Sequence, residues 1–208
     1  MSSKSLFFLY FAIRMVKKAS LIVKMPMDER KEKIQQLVKL CRKGSNNGFS
    51  QLVDMYSSRL YGYFYRLAGN RDDANELVSE LFLKITEKIG SCKSETFEPW
   101  LFRIASNLFT DYIRTKKRRE KMLNKMAEHC LTETPAEKDN GYLTDKLTRQ
   151  MQKLDAETAE IIAMRFYSGL SFEELAKMRN EPIGTCLSKV HRGIKRLRQL
   201  MENENEKI

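Results

Sequence analysis

Basic side chains are concentrated in one segment near the C-terminus, "EPIGTCLSKVHRGIKRLRQL" (residues 181–200). Guanidinium and ammonium groups bind phosphate oxygens, and arginine can also donate two hydrogen bonds to a guanine edge. At about 100° of rotation per residue, the segment predicts a helix with two different faces. Arg192 points away from its apolar side, which is formed by Ile183, Cys186, Leu187, Val190, Ile194, Leu197 and Met201. This pattern fits contact with a polyanion, although a solvated surface helix would have a similar composition.

The residues just upstream favour nucleic-acid binding over a solvated surface. In "YSGLSFEELAKMRN" (residues 167–180), Gly169 stands where a helix would end, and Ser171 with Glu174 has the spacing of a capping box. A short helix, a turn at "RNEP" and a second helix that starts near Pro182 follow in the order of a helix-turn-helix. The second helix of this motif enters the major groove of DNA.

Length and charge agree with this interpretation. The chain has 208 residues, a formal net charge of +11 and a pI near 9.5. Such a length suits one or two small domains, and the charge favours nucleic acid or an anionic membrane surface as partner. The cysteines (Cys41, Cys92, Cys130 and Cys186) lie far apart, which indicates reduced thiols in a cytoplasmic protein.

Enzyme chemistry has little support in the sequence. The two histidines, His129 and His191, lie in unrelated contexts, and no phosphate-binding loop or nucleophile motif is found. We therefore expect no catalytic residue, no metal site, no cofactor and no small-molecule substrate.

The fold class predicted for the chain is all-α, with two small helical domains joined by a flexible linker, because the apolar spacing is helical almost throughout. Helices are expected at residues 28–42, 47–68, 71–89, 97–124, 142–153, 155–168, 171–179 and 183–201. The first domain spans 28–127, the polar segment 128–141 is the linker, the second domain spans 142–201, and 202–208 form a tail.

Residues 1–27 are expected to lie outside the fold. Their apolar run, Leu6–Ile13, is too short to span a bilayer, and no small-residue cleavage site clearly follows it. A surface-lying or disordered extension is favoured over a signal peptide or membrane anchor. A third alternative is that translation begins at Met25 or Met27.

The first domain presents a second basic surface on the segment of residues 97–121. An apolar stripe at steps of three and four is expected to face the core: Phe97, Trp100, Leu101, Ile104, Leu108 and Tyr112. Arg103, Asn107 and Arg114 follow a different face, and "KKRR" ends the helix. Either this side is simply hydrated or it binds nucleic acid. The preceding helix has an acidic face instead, which suits plain solvent or a protein partner.

Four blocks of the sequence, in order, resemble the sigma factors of bacterial RNA polymerase, of the small extracytoplasmic-function (ECF) type of the sigma-70 family. Residues 48–85 resemble the opening of the family's region 2. Residues 97–114 resemble its promoter-melting helix, with the pattern W-L-x-R-I-A-x-N. Residues 154–176 and 182–198 resemble region 4.

The resemblance implies a subunit, not an enzyme, that binds core RNA polymerase and directs it to promoter DNA. Contact with the clamp helices of the largest polymerase subunit would fall to Asp72, Asp73, Glu76, Leu77 and Glu80. The −10 strand would be held by the loop of residues 90–97 and by Arg103, Asn107, Arg114, Lys117 and Arg118. The −35 element would be read by Thr185, Ser188, Lys189, His191 and Arg192. An anti-sigma factor is a further partner compatible with the family.

Some positions depart from the family pattern. Asp155 stands where many relatives have proline, but it can still cap the helix that follows. Leu187 replaces a usual basic residue and Ser79 a common glutamine. The competing hypothesis is a free-standing helix-turn-helix repressor or activator, which would bind DNA without the polymerase.

Overall fold

The computed structural model describes residues 27–93, 96–127 and 144–205, and most of them are helical. The α-helices along these ranges are α1 (Met27–Arg42), α2 (Asn46–Ala68), α3 (Arg71–Lys88), α4 (Phe97–Ala127), α5 (Thr144–Met151), α6 (Ala156–Tyr167), α7 (Phe172–Arg179) and α8 (Ile183–Asn205). A 3-10 turn, Ile89–Ser91, follows α3. No strand occurs within the described ranges, and the predicted all-α class is confirmed.

The predicted helices all exist, and their ends differ by a few residues. The largest difference is at α8, which continues to Asn205 because no glycine or proline interrupts the sequence after residue 201. The predicted linker, residues 128–141, and residues 1–26 of the predicted extension lie outside the described residues.

Helix α2 is the centre of the molecule. Ser45 caps its first turn by accepting the N–H of Gly48, and Gly69 ends it with a φ of 75°, a conformation that favours glycine. Apolar side chains are buried on several of its sides, including Leu52, Tyr56, Leu60, Tyr63, Phe64 and Leu67. Helices α1 and α3 pack against it from the N-terminal half of the molecule.

Helix α4 lies on α2 through part of its predicted apolar stripe and through Phe102, which the prediction did not include; Ala105 and Phe109 are also buried on this side. The rings of Phe97 and Tyr56 are 5.4 Å apart, and those of Phe102 and Tyr63 are 5.7 Å apart. Within the stripe, Phe97, Leu101 and Leu108 are buried, while Trp100, Ile104 and Tyr112 are half-buried. The opposite side of α4 therefore faces solvent.

The C-terminal half is a helix-turn-helix preceded by two helices. Asp155 accepts the N–H of Thr158 at 2.8 Å and caps α6. The predicted capping box of Ser171 and Glu174 is present at the start of α7. Asn180 ends α7 with a φ of 55°, and the chain turns there into α8. Both capping predictions are confirmed.

The two halves also contact each other. Helix α2 packs against α5 and α6, and α4 packs against α7. Buried residues from both halves form one continuous hydrophobic cluster. The sequence analysis predicted the two helical units but not this contact, because its residues are far apart in the chain and follow no local periodicity.

We predict that Asp155→Ala lowers the free energy of unfolding by about 1 kcal/mol, because it removes an N-cap. The side-chain and backbone hydrogen bonds from Thr158 lower the pKa of Asp155. A carboxylate with a lowered pKa stabilises the fold above its unfolded pKa, about 4, and that contribution is lost as the pH falls through the folded value.

Urea unfolding followed by circular dichroism tests this cap. Asp155→Asn is the matched control, because asparagine caps as well as aspartate and carries no charge. It should stay near the wild type at neutral pH and lack the acid-dependent loss. Equal stability of Asp155→Ala and the wild type at neutral pH would contradict the prediction.

Candidate nucleic-acid and protein-binding surfaces

Helix α8 presents the predicted polar residues to solvent. Ser188, His191 and Arg192 are exposed and Thr185 is half-buried, while Cys186 is fully buried on the opposite side. The hydroxyl of Ser188 donates to the backbone carbonyl of Thr185 at 2.9 Å, so it is held close to the helix. The outward face of α8 is therefore available to a groove.

Two residues expected on the apolar side of α8 are partly exposed. Ile183 and Leu187 each have 44% of their surface accessible, whereas Cys186 and Val190 are buried. Ile183 is at the very start of the helix, and Leu187 lies about 75° from the centre of the buried side at 100° per residue. The first turn of α8 therefore has apolar side chains at its surface, which corrects the expected pattern.

A network of charges holds the turn of the helix-turn-helix. Arg179, with 13% of its side chain exposed, bonds the carboxylates of Glu157 and Glu181 at 3.2 Å and of Glu160 at 3.3 Å. Burial alone would lower the pKa of Arg179, but the charges and hydrogen bonds of Glu160 and Glu181 raise it. The guanidinium thus joins α6, the end of α7 and the turn before α8.

Lys189 belongs to the same network. Its ammonium nitrogen lies 2.5 Å from Glu157 Oε1 and 3.0 Å from Glu181 Oε2. The hydrogen bonds to Glu157 and Glu181 raise the pKa of Lys189. Burial alone would raise the pKa of Glu181, but the bond from Lys189 and the nearby charges lower it. Sequence reasoning missed these partners because they are 32 and 8 residues away, outside helical neighbour spacing.

The predicted strand-binding residues of α4 share one exposed face. At 100° per residue they fall within an arc of about 100°, and all are exposed: Arg103, Asn107, Arg114, Lys117 and Arg118. Arg114 is 3.5 Å from Asp111 on the same helix. Arg103 donates to the backbone carbonyl of Met178, at the end of α7, at 3.1 Å. Of the predicted loop 90–97, residues 94 and 95 lie outside the described ranges.

The acidic face of α3 contains an exposed leucine that sequence reasoning missed. Asp72, Glu76 and Glu80 are exposed as predicted, and Leu83 is 56% exposed. On a helical projection Leu83 falls between Asp72 and Glu76, about 180° from the buried side. Leu83 could have been recognised in the sequence, because it does not follow the 3.6-residue spacing of the other apolar residues of α3. An apolar centre with a charged rim is typical of a protein-binding surface.

Two other residues predicted to contact the polymerase, Leu77 and Asp73, make contacts within the fold. Leu77 is 3% exposed and packs in the core, so it supports α3 from inside and is removed from the candidate surface. Asp73 accepts the hydroxyl of Tyr112 at 2.6 Å and lies 3.9 Å from Lys116. Burial and the hydrogen bond to Asp73 raise the pKa of Tyr112. Asp73 thus attaches the start of α3 to α4.

Other kinds of site are not found among the described residues. No group of His, Cys, Asp and Glu in these ranges could hold a metal ion. Among the helices of 27–93, 96–127 and 144–205, none is long and apolar enough to cross a membrane.

Comparison with known proteins matches both halves. The family models described as "Sigma-70 region 2" and "Sigma-70, region 4" match residues 52–119 and 144–197. The ECF RNA polymerase sigma factor SigE of Mycolicibacterium smegmatis is 31% identical over 74% of this chain, which spans 61% of that relative. The ECF RNA polymerase sigma-E factor of Haemophilus influenzae is 30% identical over 82% of this chain and 94% of its own length.

A solved structure has the same fold. The sigma factor RpoE of Bartonella quintana, in complex with the anti-sigma factor NepR, superposes with a TM-score of 0.60 at 25% identity. The match covers 74% of this chain and 96% of that one.

A helix-turn-helix in the C-terminal half and a basic exposed face in each half are the features of a DNA-binding protein. The two matched regions, region 2 followed by region 4, are those of a sigma factor. The chain belongs to the ECF type of the sigma-70 family of RNA polymerase sigma factors. It is therefore a transcription-initiation subunit that binds core RNA polymerase and promoter DNA, which answers the alternative of a free-standing regulator.

Proposed function

We propose that the chain reads promoters with two basic faces, that of α8 on the −35 element and that of α4 on the −10 strand, and docks on the polymerase with the acidic face of α3. The observation that carries this proposal is the exposure of all three faces on separate helices of one chain. Transcription from a promoter library by core enzyme, with and without this protein, tests it as a whole.

Arg192 is the main candidate for reading a base in the −35 element. It is exposed on the side of α8 opposite the buried Cys186 and Val190, and its Nε is 3.3 Å from the carbonyl of Ser188, one turn earlier. A guanidinium on the outer face of a recognition helix can bind guanine with two hydrogen bonds. The ammonium group of Lys189 is paired with Glu157 and Glu181. We therefore propose that its main role is to hold α8 in position and that phosphate binding is secondary.

The exposed face of α4 suits a single strand. Asn107 offers an amide for the hydrogen-bonding edge of an unpaired base, and the arginines and lysines that follow it offer charge for phosphates. These basic residues are Arg114, Lys117 and Arg118, further along the helix. We therefore assign base contacts to the first part of the face and phosphate contacts to the second part.

The acidic face of α3 suits a protein partner, since its charge would repel DNA. We include Leu83 in this surface because it is the exposed apolar group among Asp72, Glu76 and Glu80. Buried apolar side chains inside a polar rim contribute much of the energy of protein interfaces.

The protein acts in this proposal as an initiation subunit without catalytic chemistry of its own, in the cytoplasm with the polymerase. The complex of the Bartonella quintana relative with the anti-sigma factor NepR supports an anti-sigma factor as a further partner. An anti-sigma factor would bind exposed surfaces of this chain such as the faces of α3, α4 and α8.

We predict that Arg192→Ala weakens binding of the holoenzyme to promoters that depend on the −35 element by about 1–3 kcal/mol and relaxes the sequence preference at the contacted base pair. Lys189→Gln should have a smaller effect, because the charge of Lys189 is already matched by Glu157 and Glu181. Fluorescence anisotropy on promoters with intact and altered −35 elements measures both. The exposed Lys153→Gln serves as control, and an equal loss for Arg192→Ala on promoters without a −35 requirement would refute the assignment.

We predict that Asn107→Ala leaves closed-complex binding nearly unchanged but reduces strand opening, because its amide would contact unpaired bases only. Permanganate footprinting of the −10 region measures the opening. Thr115→Ala is the control, since Thr115 is exposed on α4 but lies outside the arc of the strand-binding residues. Thymine reactivity equal to that of the wild type would remove Asn107 from the site.

We predict that Leu83→Ser weakens binding to core polymerase by about tenfold, since full burial of a leucine contributes about 1.5–3 kcal/mol and 56% of Leu83 remains to be buried. The variant should unfold at the wild-type temperature, because Leu83 is exposed in the free chain. Leu40→Ser is the matched control: Leu40 is 43% exposed on α1 of the same half. Similar losses for both variants would count against a specific surface on α3.

A further inference from the structure

We propose that, in the free protein, the C-terminal half docks on a face of α2 that contains Arg59, Gly62 and Arg66, and that this docked form engages Arg103 of the strand-binding face. The docking itself stands on contacts between the halves. Its effect on DNA binding rests on the proposed function of Arg103.

The absence of a side chain at Gly62 lets the C-terminal half come close to α2. It stands in the interior of α2, where glycine is less favourable than alanine by about 0.5–1 kcal/mol. A methyl group at Gly62 would lie within 3.2 Å of three ring carbons of Tyr167, from the end of α6, so only hydrogen fits. The three atoms nearest to such a methyl group all belong to the ring of Tyr167, so glycine at this position leaves room for that ring. Glycine at position 62 therefore weakens helix α2 slightly, but it leaves the space that Tyr167 occupies in the docked form.

The polar contacts are reciprocal, because each half caps a helix of the other. Arg59 donates from Nε to the carbonyl of Tyr167 at 2.9 Å and from Nη2 to that of Ser168, at the C-terminal end of α6. Gln152 donates to the carbonyls of Arg66 and Leu67, at the end of α2, at 3.0 and 2.9 Å. The last carbonyls of a helix lack partners within it and carry partial negative charge. Satisfying two such ends at once requires a defined orientation of the halves.

Arg59 is itself held in place by the N-terminal half. Its Nη1 lies 2.8 Å from Glu98 Oε1, which also accepts from Arg30 at 2.9 Å and from Tyr56 at 3.1 Å. The guanidinium is therefore positioned before docking and needs little further ordering.

The docked half contacts α4. Arg103 donates to the carbonyl of Met178, and the hydroxyl of Ser106 donates to Glu160 Oε1 at 2.5 Å. Arg103 remains partly exposed, but a DNA strand would have to compete with the carbonyl of Met178 for its guanidinium. Residues 128–143, which connect the two halves in the sequence, lie outside the described residues. Strand binding and docking thus compete for the guanidinium of Arg103.

The test compares Gly62→Ala and the bulkier Gly62→Gln with Gly184→Ala in the full chain. Alanine and glutamine favour helix, so α2 should remain folded. Nothing lies within 4 Å of a methyl group at Gly184, which makes it a matched control. Small-angle scattering should show a larger radius of gyration and largest dimension for both Gly62 variants, with Gly184→Ala unchanged. Wild-type dimensions in both Gly62 variants, or an extended or dimeric wild type, would overturn the docking.

A second measurement separates docking from the proposed function. Fluorescence anisotropy with a labelled −10 single strand should show tighter binding by the Gly62 variants, by about tenfold if nine tenths of the wild type is docked. Gly184→Ala should bind as the wild type does. Opening seen by scattering without tighter strand binding would overturn the competition for Arg103 and count against its role in the −10 site, while the docking contact would stand.

Discussion

Apolar burial around α2 is the constraint on which the other parts of the structure depend. Tyr56, Leu60, Tyr63 and Phe64 are at most 1% exposed, and helices from both halves pack around them. A helix buried on several sides fixes the directions of its neighbours, because each neighbour must turn its own apolar stripe inward. The acidic face of α3 and the basic face of α4 point outward for this reason. The positions of the functional side chains are thus consequences of the core.

Charge is divided among the outward faces in a way that suits two kinds of partner. The basic faces of α4 and α8 attract phosphates, and the acidic face of α3 repels them and leaves Leu83 for a protein. A sigma factor must hold polymerase and DNA at the same time, so its surfaces must not compete for one partner. The charges of Glu157 and Glu181, next to α8, serve a different purpose. They pair with the ammonium group of Lys189 and hold the turn before α8. Arg192 is therefore the more exposed of these two basic side chains.

Local patterns in the sequence predicted local structure well. The capping box at Ser171 and the cap at Asp155 depend on short local spacings, and the structure has both. The stripe that begins at Phe97 is buried only in part, because tertiary packing turns the buried side of α4 towards Phe102 and Phe109. Features that depend on tertiary contact were missed. The partners of Lys189 lie outside its helical neighbourhood, and Ile183 and Leu187 are partly exposed although both belong to the predicted apolar side of α8. The site roles carried over from the family resemblance stay predictions, whereas membership of the family is shown.

The polar contacts of the docked form join groups that water or DNA can satisfy equally well, and apolar side chains of both halves also share one buried cluster. The carbonyls of Tyr167, Leu67 and Met178 and the guanidinium groups of Arg59 and Arg103 would all be hydrated on opening, and each intramolecular hydrogen bond contributes only about 0.5–1.5 kcal/mol net. Shape at Gly62 therefore decides whether the halves fit, while the polar contacts decide their orientation. A polymerase that binds an open arrangement of the halves more tightly than the docked one would shift a balance of this size. Arg103 would then exchange a backbone carbonyl for a phosphate or a base, so the docked contact and the promoter contact use the same donor in turn.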